Sequence, residues 1–298
     1  MYSIIVCSIS PERLELLSQN IHNTIGVEYE IIGIDNRQLK WPIAKVYNKG
    51  AKQAHYPYLF FVHEDVLFHT NNWGRIVASK LQEPNCGVIG FAGSFFKPKS
   101  YSGWYIGPEW SCSLLLQGTN NGKIIDSCNI IPNTNFTEVI TVDGFAMFVR
   151  KEVWEKYPFD ENLLTSFHCY DLDFSLTIAS SRIFKNYVCS TPKVFIEHFS
   201  PGNYNFDWYQ ATIKLHQTKW RKILPLKTES IILEDKKIQE IENCVFHSFC
   251  NNLLQKNYHK QKRLLLQILL KSNSWNELHI GLKCLFHHLK KRTKHKQE

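Results

Sequence analysis

The stretch 58–68 reads YLFFVHEDVLF. Five apolar or aromatic residues run into His63, Glu64 and Asp65, and apolar residues then resume. A continuous run of this kind is what a strand buried on both faces presents. Two carboxylates and an imidazole at its end are costly in a core unless a ligand uses them. In a parallel α/β sheet, ligands sit beyond the carboxyl ends of the strands. The neighbouring segments fit such a sheet. Residues 3–9 form a β-branched run, followed by Ser10 as N-cap, Pro11 as first helical residue, and Leu14, Leu17 and Ile21 at helical spacing. Residues 29–35 (YEIIGID) predict a second strand with Asp35 at its end, 43–54 a helix, 58–65 the third strand, 72–82 a helix and 86–93 another strand. Strands alternating with amphipathic helices predict a mostly parallel sheet covered on both faces.

From 94 to 137 the pattern gives way to Gly, Asn, Ser, Trp and Tyr, which predicts long loops and a hairpin. Order returns over 138–160, with a strand, a turn at Asp143-Gly144, a second strand and a short helix. A helix over 171–184 and a late strand over 193–200 follow. Beyond a boundary at 224–228 the composition changes to Lys-rich helical periodicity. The expected organisation is a domain over 1–224 and a small all-α appendage over 229–298. From residue 227 onward there are 14 Lys and Arg against 7 Asp and Glu, so this region holds +7 of the chain's net +8. Its last basic run, 290–296 (KKRTKHK), could meet anionic lipid headgroups or be a solvated helix end.

The nine cysteines are scattered without any Cys-x-x-Cys, which argues against a disulfide scaffold or zinc knuckle and for the reduced thiols of a cytoplasmic protein. No apolar run reaches the roughly 18–20 residues of a membrane helix. The N-terminus reads as a first strand, without the basic and apolar regions of a signal peptide.

Three strand ends place polar groups together: Ser8 to Ser10, Asp35, and His63 to Asp65. Asp35 is either a turn residue or a hydrogen-bond acceptor for a nucleotide's ribose or base. No Gly-x-Gly-x-x-Gly follows the first strand, and no P-loop motif occurs, which argues against dinucleotide oxidoreductases and P-loop enzymes. A nucleotide diphosphate bound without a glycine cradle needs another neutralising partner. Mg²⁺ or Mn²⁺ would serve, with Asp65 as an oxygen ligand. His63 is open to a ribose contact, a metal or a capping role, and Glu64 points to the other side of an extended segment. Trp104, Tyr105 and Trp110 could stack on sugar faces or anchor loops.

The order EIIGID, KVYNKGAKQA, YLFFVHED, VDGFAMFVRKEVW, YDLDFSLTIA and VFIEHFSPG resembles family-2 glycosyltransferases of the GT-A fold, over roughly 3–220. Within these it is most similar to the branch with a StrF-like domain, named after a streptomycin biosynthesis protein. The resemblance implies a Rossmann-like, mostly parallel sheet. It implies a nucleotide site at Ser8, Asp35, Asn48 and His63, and a cation held by Asp65 and His198. It implies Asp171 as the base of an inverting transfer, and acceptor or donor-sugar contacts at Asp143, Gly144 and Asp173. Asp173 at a helix start could equally stabilise the helix dipole. Two positions depart from the family pattern: His63 where Asp is usual, and Tyr170 where Glu is usual. The expected activity is metal-dependent transfer of a sugar from a nucleotide sugar to a glycan or glycolipid hydroxyl, in bacterial surface polysaccharide or glycoconjugate synthesis. No nucleic acid is expected as partner, and the basic tail offers a peripheral contact with the inner face of the membrane. The rival readings are a nucleotidyltransferase, which the missing glycines after strand one disfavour, and a degenerate transferase domain used for binding.

Overall fold

A computed structural model describes residues 1–119, 122–202, 204–256 and 258–294, with side chains at all of these except 256, 258, 259 and 291–294. Contacts divide the chain into two units. The first comprises Met1–Lys97, Gly103–Asn203 and Leu226–Ser230, and the second Pro98–Ser102, Tyr204–Pro225 and Ile231–Glu298.

The first unit opens with β1 (Tyr2–Ser8), α1 (Pro11–Thr24), β2 (Tyr29–Asp35), α2 (Ile43–Gln53) and β3 (Tyr58–Val62). Ser10 caps α1 by accepting from Arg13 N, with Pro11 at the first helical position. β1 pairs in parallel with both β2 and β3. β4 (Val66–Phe68), α3 (Trp73–Leu81), β5 (Cys86–Gly90), β6 (Ala92–Ser94) and β7 (Phe96–Lys97) follow. Next come the hairpin β8 (Ser111–Gly118) and β9 (Ile124–Asn129), then β10 (Phe136–Val139), β11 (Thr141–Val142), β12 (Ala146–Arg150), α4 (Lys151–Lys156), α5 (Tyr170–Ser180), β13 (Lys185–Cys189) and β14 (Ile196–His198). The main sheet runs β10-β13-β5-β12-β3-β1-β2, and a second sheet runs β11-β6-β8-β14-β4. Tyr2, Phe60, Trp73 and Phe148, all fully buried, form an aromatic core beneath the main sheet. At about 25 cal/mol per Å² of apolar area, such large side chains dominate the hydrophobic stabilisation.

Three local expectations change. The third strand ends at Val62, so His63, Glu64 and Asp65 form a connection between β3 in one sheet and β4 in the other. The Asp143-Gly144 turn likewise joins β11 and β12 across two sheets. Residues 185–189, which lie between the expected helix and late strand, form β13, which pairs in parallel with β5 and lies beside the edge strand β10 of the main sheet. Asn186 anchors it from within: its side chain accepts from Val88 N at 3.0 Å and donates to Ile140 O at 3.0 Å and Ser175 O at 2.8 Å.

β15 (Leu226–Lys227) returns the chain to the first unit by pairing with β7. The second unit packs α6 (Phe206–Gln217), α7 (Asp235–Lys256), α8 (Tyr258–Lys271) and α9 (Trp275–Lys294) around Tyr209, Phe246, Phe249, Leu253, Leu265 and Leu285. No helix among the described residues is long and apolar enough to cross a membrane. Of the basic run 290–296, residues 295–296 lie outside the described residues, as do the side chains of 291–294.

Candidate active site

β4 pairs antiparallel with β14, with His198 opposite Val66, and Phe199 N donates to Asp65 O at 3.0 Å. This pairing brings His198 back to the 63–65 connection, 133 positions after Asp65. Ligand atoms of His63, Asp65 and His198 all lie within 4.8 Å of one another. Asp65 Oδ1 is 3.7 Å from His198 Nε2 and 4.0 Å from His63 Nδ1. Neighbouring groups fix both imidazole tautomers. The two hydrogens of the Gln117 Nε2 amide are shared among three carbonyls, those of Ser200 (2.8 Å), Gly118 (3.1 Å) and His198 (3.4 Å). Its Oε1 is therefore turned to His198 Nδ1 at 3.4 Å, which must carry the proton. Nε2 is left with a lone pair, buried and without a hydrogen-bond partner. In the same way, the Tyr170 hydroxyl donates to Gly144 O at 2.8 Å and so accepts from His63 Nε2 at 2.7 Å. His63 Nδ1 is then the bare nitrogen, on the side of Asp65.

Burial lowers the pKa of His63, and the nearby His198 lowers it further, which keeps the ring neutral. Burial alone would raise that of Asp65, but His198, His63 and the Ser200 hydroxyl together hold it below the usual carboxylate range. Ser200 donates directly to Asp65 Oδ2, and Phe145 stacks on His198 at 4.7 Å. Two imidazole nitrogens facing one carboxylate form a donor set that fits a divalent cation such as Mn²⁺. The orphaned His198 Nε2 is the atom such an ion would satisfy.

Asp171 lies in the first turn of α5 and accepts from Gly144 N at 3.1 Å. Burial, and then the charge of Asp143, push its carboxyl up to about 7. Asp143 is itself held by Phe145 N at 3.1 Å and by the Trp104 indole N–H. Gly144 has no room for a side chain: an added Cβ would lie 2.4 Å from Tyr170 Oη and 2.7 Å from Asp171 Cβ. Overpacking of this kind costs about 1–3 kcal/mol. We expect Gly144→Ala to lower the melting temperature accordingly and to displace Asp171; an unchanged melt would show the contact to be looser than drawn.

Other sequence candidates lie apart from this cluster. Glu64 Oε2 accepts from Ser8 Oγ (2.7 Å), Ile9 N and Ser10 N (both 3.1 Å), so Glu64 and Ser8 tie the β1–α1 loop to the 63–65 connection. Asn48 is buried and committed to packing: it donates to Phe159 O at 2.8 Å and accepts from Phe159 N and Trp154 Nε1 at 3.1 Å. Its amide is thereby tied to the 154–159 segment. Trp110 packs edge-on to Phe96 and donates to Glu109, a different set of partners from that of Trp104. Asp173, two residues beyond Asp171 in the same helix, is fully buried. Asp35 is exposed and forms a two-pronged ion pair with Arg37, whose hydrogen bonds pull its carboxyl down to about 2. Beside it a cavity of about 500 Å³ is lined by Cys7, Arg37, Lys40, Trp41 and Phe167, among others. The Phe167 ring is 5.6 Å from that of His63, which links the cavity to the His63, Asp65 and His198 cluster. Sequence reasoning passed over Arg37, Lys40, Trp41 and Phe167, although the run DNRQLKW after β2 carries two cations and an indole. Gln117 and Ser200 carry no local signal at all, because their role depends on contacts 81 and 135 positions away.

No curated protein matches the chain by sequence. Among solved structures, residues 1–349 of TarS from S. aureus are similar, with a TM-score of 0.55 and 14% identity, over 94% of this chain and 80% of that one. The same TarS fragment in complex with UDP matches at 0.48 and 13%, over 89% and 78%. GalNAc-T7 with UDP, GalNAc and Mn²⁺ matches at 0.48 and 10%, over 86% and 57%. At such identities the likeness to TarS concerns the fold, which is the GT-A fold of glycosyltransferases. Residues 3–217, well over half of the chain, match the sequence profile of the glycosyltransferase-like family, and the chain belongs to that family.

Proposed function

We propose that this protein transfers a sugar from a nucleoside-diphosphate sugar to an acceptor hydroxyl, with inversion at the anomeric carbon and with Mn²⁺ or Mg²⁺ as cofactor. The observation that carries the reading is the close trio of His63, Asp65 and His198, with two lone pairs turned toward one carboxylate. His63, Asp65 and His198 would hold the cation, which when bound neutralises the charge of the diphosphate leaving group. His63 is thereby assigned to the cation and not to the nucleotide.

The cavity beside Asp35 is the proposed nucleotide site. It falls within the size range of small-molecule pockets, with Trp41 and Phe167 as flat apolar surfaces and Arg37 and Lys40 as cations for phosphate. Asp35 would exchange its exposed pairing with Arg37 for a ribose hydroxyl. Asp171 is the proposed base. Its carboxylate accepts the acceptor's hydroxyl proton as the new C–O bond forms and the bond to the diphosphate breaks, and the nucleoside diphosphate leaves. A pKa near 7 suits this role at neutral pH. Trp104, braced on Asp143, and the exposed Tyr105 beside it offer a face for a glycan or glycolipid acceptor. A surface polysaccharide or glycoconjugate pathway in the cytoplasm is the setting that fits such an acceptor.

The test is thermal shift with UDP-, GDP- and dTDP-sugars, with and without Mn²⁺. A rise that needs both nucleotide sugar and metal, and that disappears in Asp65→Ala, is expected. Trp41→Ala should weaken the nucleotide response while leaving the response to Mn²⁺ alone. Absence of any response to all three donors would leave only a binding or assembly role.

A further inference from the structure

The chain's excess positive charge is confined to its last two helices. Residues 258–294 hold nine Lys and Arg against one acid, Glu277, a net of +8 that equals the net charge of the entire chain. One face of α9 is also apolar and open. Trp275 is 86% exposed, Leu282 45%, Phe286 61% and Leu289 37%. At about 100° per residue, their spacing of seven, four and three positions places all four on a single narrow stripe. The adjoining side of α9 faces the core of the second unit, where Cys284 and Leu285 are buried and Gly281 approaches Leu269. The stripe therefore widens the apolar surface of α9 beyond the part that folds the helix in, and leaves that extra width uncovered. His279, Lys283 and Lys290 are exposed and by the same geometry flank it, whereas Glu277 falls on the far side. Leu270, at the end of α8 and 86% exposed, extends the apolar surface next to Trp275 in the chain.

We propose that α9 docks on an anionic lipid surface, with Trp275, Leu282, Phe286 and Leu289 entering the interface and the flanking cations meeting the headgroups. An apolar stripe bordered by Lys, with an indole at one end, is what an interfacial helix presents. The charge distribution selects this occupant. A second copy of the chain would bring the same strongly basic pair of helices against itself. A nucleic acid would take the charge but leave leucine and phenylalanine against phosphates, with no gain from covering them. An anionic bilayer satisfies both halves of the surface. The inference is independent of the transferase reading, because none of its residues belongs to the unit that holds Asp65 and Asp171.

Flotation of the full chain with phosphatidylcholine vesicles, and with vesicles of phosphatidylcholine mixed with phosphatidylserine, tests it. Binding is expected to the mixed vesicles only and to weaken as salt is raised. Each cation near an anionic leaflet is worth about fivefold in affinity, so Lys283→Gln with Lys290→Gln should weaken binding by roughly 25-fold. Leu282→Ser with Phe286→Ser should weaken it at least about tenfold by removing the part that enters the interface. Melting temperatures measured alongside should match the wild type; if the serine pair melts early, the lysine pair decides. Equal binding to both kinds of vesicle, no binding to either, or retention by both variants would overturn the proposal. Concentration-dependent self-association that the serine pair abolishes would assign the stripe to a second copy instead. Binding of single-stranded RNA that the serine pair leaves intact would assign the cations to nucleic acid.

Discussion

Replacing Asp171 by Asn should reduce sugar transfer by about 10²–10⁴-fold, the range that a positioned general base contributes, while making the fold more stable. The second half of this expectation follows from the raised pKa. In the unfolded chain an Asp titrates near 3.9, whereas in the fold the carboxyl is pushed up to about 7 by burial and by Asp143. The folded state therefore binds the proton more tightly. Its contribution to stability is complete below pH of about 4 and is lost as pH rises toward 7. Asn carries no charge, so the variant escapes that loss while its carbonyl can still accept from Gly144 N. Melting temperatures of wild type and variant should diverge across this window and run in parallel above it. For the wild type, kcat/KM should fall as pH drops below about 7, as the base becomes protonated. A variant that transfers sugar at the wild-type rate would remove Asp171 from the mechanism. Equal melting behaviour from pH 4 to 7 would show that its carboxyl is not perturbed.

The second large effect concerns the cation. Chelation with EDTA, or Asp65→Ala, should lower transfer by on the order of 10³-fold, because charge neutralisation on a leaving diphosphate is worth several kcal/mol. Added Mn²⁺ or Mg²⁺ should restore the chelated wild type and leave Asp65→Ala inactive. Tyr170→Phe separates the ligand from its support. It keeps the ring but removes the hydroxyl that fixes His63 with Nδ1 bare. Loss of such an orienting partner typically costs 10–100-fold in metal affinity. Mn²⁺ titration by thermal shift should therefore show a weaker midpoint with the same saturating response. Full activity after exhaustive chelation would refute the metal assignment.

Tyr170 and His63 are the two positions that depart from the family pattern, and they hydrogen-bond to each other. Taken singly in the sequence, each departure argues for a degenerate site. As a pair they have a common purpose: the tyrosine sets the tautomer that turns the imidazole into a donor. This supports a working cation site with altered ligands over the degenerate reading.

The sequence by itself determined the alternation of apolar strands and amphipathic helices, and hence the α/β class. Those patterns repeat every two or 3.6 residues and are decided by local burial. It also nominated Asp65, as a carboxylate closing a buried apolar run, and, through the family resemblance, Asp171 and His198. The tertiary structure alone decided how these groups are oriented and which candidates stand apart. The β4–β14 pairing, the Gln117 amide that sets His198, the Ser200 hydroxyl on Asp65 and the committed amide of Asn48 all join residues far apart in the chain. No periodicity records such contacts. The exposed apolar stripe of α9 was hidden for a related reason: a helix pattern shows that apolar residues share a side, but only packing shows how much of it the core has covered.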